Sequence, residues 1–99
     1  MEPMEITVER PTPGVTLERL YQGAVFNVVR VTIAAGISIP PHPEDYMVLF
    51  YVLEGSGRIT TDEGMNEVRA GDHVLVGHGA TRGIAAHERM TLLGIQEPH

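Results

Sequence analysis

The sequence predicts an all-β domain, a sandwich or jelly-roll barrel. Three observations carry this. The apolar runs are short and rich in Val, Ile, Phe and Tyr. Gly and Pro clusters separate them at roughly the 8–12-residue spacing of hairpin-built folds. No segment shows the 3.6-residue apolar period of an amphipathic helix.

The elements follow in chain order. Residues 1–13 carry Pro3, Pro11 and Pro13 and read as an extended N-terminal arm, with a short strand near Ile6–Val8. Ala24–Ile33 reads as a strand interrupted in polarity by Asn27 and Arg30. Met47–Leu53 is an unbroken apolar run, bounded by Asp45 and by Glu54-Gly55. Its length and its Val, Phe and Tyr content predict a strand covered on both faces. Gly55-Ser56-Gly57 is a turn. Arg58–Thr61 and Asn66–Arg69 form a hairpin about Asp62-Glu63-Gly64. Ala70-Gly71-Asp72 is another turn, His73–Val76 a strand, and Met90–Ile95 the closing strand. With no linker and no repeat, residues 1–99 make one domain.

Composition narrows the function classes. Apolar content of 42% and charged content of 20% suit a soluble globular protein. No run of 18 apolar residues predicts a membrane span. The acidic start, Met-Glu-Pro-Met-Glu, has no apolar stretch of a signal peptide, so a cytoplasmic setting is expected. A net charge of −6 with scattered basic residues argues against nucleic-acid binding. All seven basic residues are arginine, which excludes lysine Schiff-base chemistry. Absence of cysteine removes disulfides, thiolate ligands and thiol nucleophiles.

The segment Gly36–Gly57 resembles the first motif of the cupin superfamily, G-x5-H-x-H-x3,4-E-x6-G. Gly36, His42 and Gly55 are in register; Glu44 stands at the second histidine position and Val48 at the glutamate position. Gly71–Ala86 resembles the second motif, G-x5-P-x-G-x2-H-x3-N. There Gly71 and Gly79 match, while Gly77, Arg82 and Ala86 replace proline, histidine and asparagine. The resemblance spans about Val25–Ile95 and implies a small single-domain cupin. It further implies the double-stranded β-helix, or jelly-roll, form of the all-β barrel.

Family members usually hold one divalent metal on three histidines and a glutamate. The resemblance maps those positions onto His42, Glu44, Val48 and Arg82. Valine cannot ligate, and a guanidinium repels a cation. His42 and Glu44, at i and i+2, are expected on one face of a strand and pointing inward. His78 is the remaining candidate ligand, four residues before Arg82. His73 and His87 read as solvated or locally bonded residues. A reduced set of His42, Glu44 and His78 could hold iron, manganese, nickel or zinc. The alternative is that no metal binds and that Glu44 and Arg82, of opposite charge, form an internal ion pair beside His42. Val48 would then fill the space of the lost third ligand.

Arg82 at the mouth of an apolar barrel could also clamp the carboxylate or phosphate of a small ligand. Tyr46, Met47, Phe50 and Met90 are candidate walls of that pocket. The outer face of Met47–Leu53, with Leu49, Tyr51 and Leu53, needs a cover, which predicts a symmetric homodimer. Three functions remain open. The favoured one is a small-molecule-binding or sensory module with a degenerate metal site. The others are a metal-dependent oxygenase or isomerase and a purely structural dimeric barrel. No nucleophile beside a base is visible, so no catalytic residue is assigned.

Overall fold

The computed structural model describes residues 7–99, so Ile6 at the head of the expected first strand lies outside them. Ten strands form along the chain: β1 Thr7–Thr12, β2 Val15–Gln22, β3 Asn27–Ile33, β4 Ser38–Pro43 and β5 Val48–Glu54. They continue as β6 Ser56–Thr61, β7 Gly64–Arg69, β8 His73–Val76, β9 Thr81–Ala86 and β10 Met90–Gln96. Two antiparallel sheets result, ordered β1-β2-β3-β10-β5-β8 and β4-β9-β6-β7. No helix occurs among the described residues, so none is long and apolar enough to cross a membrane.

The alternation of side chains explains the two layers. In β3, Val29, Val31 and Ile33 are buried while Val28, Arg30 and Thr32 between them are only half-buried. A period of two puts one face into the core and the other toward solvent. Val48, Phe50 and Val52 of β5 do the same, and β10 adds Met90 and Leu92. Ile59, Val68, Ile84 and Ala86 close the core from the smaller sheet. The strand expected over Ala24–Ile33 begins only at Asn27. The Asn27 side chain accepts a hydrogen bond from the Gly23 amide at 3.2 Å, closing a turn that holds residues 24–26 out of the sheet. The described part of the N-terminal arm pairs with β2 of its own chain.

Within the chain only one face of Met47–Leu53 is covered. Tyr51 is 40% exposed and Leu53 42%. Register explains where that open face leads. Leu49 lies opposite both Leu75 of β8 and Ile95 of β10, and Ile95 lies opposite Val28 of β3. Directly opposed residues share a face. An apolar row therefore crosses four strands on the outside of the larger sheet.

Gly55 shows why its motif position takes glycine. It has φ of +84°, and a Cβ there would run into the Arg89 carbonyl oxygen. The turn can then lead β5 directly into β6, passing the chain from one sheet to the other.

Candidate functional site

The site is built on the pairing of β4 with β9, at the edge of the smaller sheet. Ile39 lies opposite Ile84 and His42 opposite Arg82, so three steps along β4 match two along β9. The extra residue falls at Pro40-Pro41. Prolines cannot donate to a ladder and are accommodated at edges and bulges. Gly83 completes the fit: a Cβ on it would stand 2.8 Å from the Pro41 nitrogen. The bulge brings His42 across from Arg82.

Between the sheets lies a cavity of about 220 Å³. Leu17, Val29, Val31, Ile39, Phe50 and Ile84 form its apolar walls, and Pro11 of β1 closes one side. Its polar residues are His42, Tyr46, Arg82 and Gln96. A larger groove, about 520 Å³, runs along the outside between the β1–β2 hairpin and Arg89. It is open to solvent and borders no buried charge.

Arg82 dominates the interior site. It is 4% exposed, so a cation has been taken almost wholly out of water. Backbone carbonyls hold it. Nη2 donates to Ala80 O at 2.9 Å, to Gly77 O at 3.1 Å and weakly to Glu44 O at 3.5 Å; Nε donates to Ala80 O at 3.3 Å. The loop is itself fixed by Gly79 N to Glu44 O at 2.8 Å and Ala80 N to Gly77 O at 3.1 Å. Nη1 is buried with no hydrogen-bond partner. The guanidinium carbon lies 4.8 Å from the centroid of the Tyr46 ring, a cation–π contact. The Tyr46 hydroxyl has its pKa pushed up, first by burial and then by the nearby Glu44 carboxylate.

The expected Glu44–Arg82 ion pair does not form. Arg82 reaches only the Glu44 backbone carbonyl, while the Glu44 carboxylate sits 3.0 Å from His42 Nε2. Strand β4 ends at Pro43, so Glu44 lies in the loop and is not carried inward by strand alternation. His42 itself stands at the cavity rim, its side chain 46% exposed, with Nδ1 2.9 Å from Pro40 O. Both ring nitrogens therefore face acceptors.

Tyr46, Phe50 and Arg82 line the cavity. Val48 is 1% exposed and packs in the core instead of the cavity wall. Met47 is 42% exposed and Met90 fully buried, so neither lines the cavity. His78 is turned away toward Glu97, with Nδ1 2.6 Å from its carboxylate. His87 faces Glu67 at 2.8 Å.

Sequence reasoning missed the segment after β10. The Glu97 carboxylate accepts from the Met47 amide at 2.6 Å as well as meeting His78. These contacts hold its pKa below the ordinary carboxylate range, His78 contributing most. The His99 ring stacks on Tyr46, 3.8 Å between centroids and 8° from parallel, with Nε2 3.0 Å from Gln96 Oε1. Gln96 is 7% exposed and lines the cavity. A stack between residues 53 positions apart leaves no local pattern to read.

A family model described as the Cupin domain matches residues 29–95, about two thirds of the chain. The chain belongs to the cupin family. Solved cupin structures superimpose closely. KdgF from Halomonas sp. matches with a TM-score of 0.87 at 18% identity, covering 94% of this chain and 88% of that one. An RmlC-like cupin from Shewanella frigidimarina NCIMB 400 gives 0.88 at 19% identity, over 96% and 86%. A predicted oxalate decarboxylase from Thermotoga maritima gives 0.82 at 20%, over 96% and 95%. At these identities the likeness establishes the fold. No curated protein sequence matches the chain.

The donor set of this cupin does not fit a resident divalent metal. Among the described residues no three His, Asp or Glu side chains converge. His42 and Glu44 face each other at the rim, His78 is held by Glu97, and the second-motif ligand position is the guanidinium of Arg82. Catalytic zinc takes about three protein ligands, and a buried cation beside the site opposes binding further.

Proposed function

We propose that this cupin is a small-molecule-binding module that holds an apolar ligand in the barrel without a metal ion. One observation carries the reading: an apolar cavity whose wall includes a buried guanidinium. Apolar walls with a few placed polar groups are the usual make-up of a ligand pocket. The volume is adequate for a small ring or short branched chain, since a dry apolar cavity of about 150 Å³ takes benzene. No side-chain pair in the cavity forms a nucleophile and its base, which favours binding over catalysis.

The test is ligand-observed NMR against a panel of small apolar compounds, with and without EDTA. Saturable binding, unchanged by EDTA and lost in a cavity-filling Ile39→Phe variant, supports the module. Binding that vanishes with EDTA contradicts it.

We also propose that the outer face of the larger sheet is covered by a second copy of the chain. The apolar row Val28–Ile95–Leu49–Leu75 and the neighbouring Tyr51 and Leu53 support this. A contiguous apolar surface of this kind favours association, and closed twofold pairing is the commonest arrangement.

A further inference from the structure

We infer that the ligand of the barrel is a small apolar monocarboxylate, with its carboxylate taken by Arg82. This rests on the barrel being a ligand site and adds the chemical class of the ligand. Arg82 has five N–H donors. Those on Nε and Nη2 are spent on the carbonyls of Ala80, Gly77 and Glu44. Both donors on Nη1 are unspent in a side chain only 4% exposed. A buried donor without a partner costs about 1–3 kcal/mol, more when charged.

The charge is as incomplete as the hydrogen bonding. Carbonyl oxygens and the Tyr46 ring solvate the cation but leave its net charge in place. Among the described residues no carboxylate pairs with Arg82; that of Glu44 faces His42 and that of Glu97 faces His78. A cation buried without a counterion is unfavourable, and an incoming carboxylate supplies the missing charge and the missing acceptor together.

The cavity selects the rest of the molecule. One guanidinium with one free nitrogen suits a single negative charge. A phosphate brings about −1.5 to −2 charges and three acceptor oxygens, which apolar walls such as Val31, Phe50 and Ile84 would leave unpaired. The volume of about 220 Å³ limits the body of the ligand to one ring or a short branched chain.

Isothermal titration of the full chain with benzoate, cyclohexanecarboxylate and 4-methylpentanoate, each beside its neutral amide and beside phenyl phosphate, tests the inference. The expected result is that at least one acid binds about tenfold or more tightly than its amide. Arg82→Met should erase that preference while still binding the amide, with folding checked by circular dichroism. Should Arg82→Met fail to fold, the acid-to-amide ratio in the unaltered protein decides alone. Equal binding of acid and amide overturns the carboxylate assignment and leaves the apolar pocket standing. Tighter binding of phenyl phosphate also overturns it. No binding by any compound overturns both the assignment and the pocket.

Discussion

The guanidinium of Arg82 lies over the ring of Tyr46, 4.8 Å from its centroid, at a position where the family usually places a metal-binding histidine. A buried cation has entered the ligand position, and its stability comes from carbonyl dipoles and an aromatic face. Truncating Arg82 to Ala should destabilise the fold by about 2–4 kcal/mol, from lost volume and an unpaired Ala80 carbonyl. Gly77 and Glu44 keep the bonds from Ala80 N and Gly79 N, which limits the loss. Glu44→Ala should cost under about 1 kcal/mol, because its pair with His42 is solvent-exposed. Urea denaturation of the two variants checks the contrast; equal losses would restore an internal Glu44–Arg82 pair.

Glu97 makes stability depend on pH. Its folded pKa is held below the ordinary value by His78 and by the Met47 amide. The unfolded chain therefore binds a proton first as pH falls. The stabilisation is complete above the ordinary carboxylate range and is lost as pH drops through the folded value. Carbon-detected NMR should place the Glu97 titration below that of a free glutamate, and His78→Ala should move it upward. A titration at the ordinary value would contradict the contact.

Gly83 permits the close approach of β4. A Cβ there meets Pro41 at 2.8–2.9 Å through both its ring and backbone. Gly83→Ala should push the edge strand outward, costing about 1–3 kcal/mol. The His42 ring resonances should shift with it in a proton–nitrogen spectrum. An unchanged His42 environment would show that the bulge does not position the ring.

The outer face of the larger sheet predicts a change in mass. Leu75 is 62% exposed and sits in the apolar row beside Leu49. Light scattering should report a dimer for the unaltered chain and a monomer for Leu75→Asp with Tyr51→Asp, both folded by circular dichroism. A monomer in the unaltered chain would contradict the proposed pairing.

The barrel was legible because its signals are local. Motif glycines such as Gly55 mark turns, and Val-rich alternation marks strands that bury one face. The motif resemblance put Arg82 at a ligand position of the barrel, but its place across from His42 appears only in the register of β4 with β9. The partner of Glu44 was not. Opposite charges at two motif positions suggested a pair, but β4 stops one residue earlier and a nearer imidazole takes the carboxylate. The wall residues Leu17, Ile39 and Gln96 come from strands distant in sequence, and only the three-dimensional register collects them. The His99–Tyr46 stack likewise exists only once β10 has docked.

The direct measurement is metal content by mass spectrometry of untagged protein purified without chelator, beside His42→Ala. Replacement of the metal centre by Arg82 predicts far less than one equivalent in both proteins. Near-stoichiometric metal in the unaltered chain, lost in His42→Ala, would contradict it.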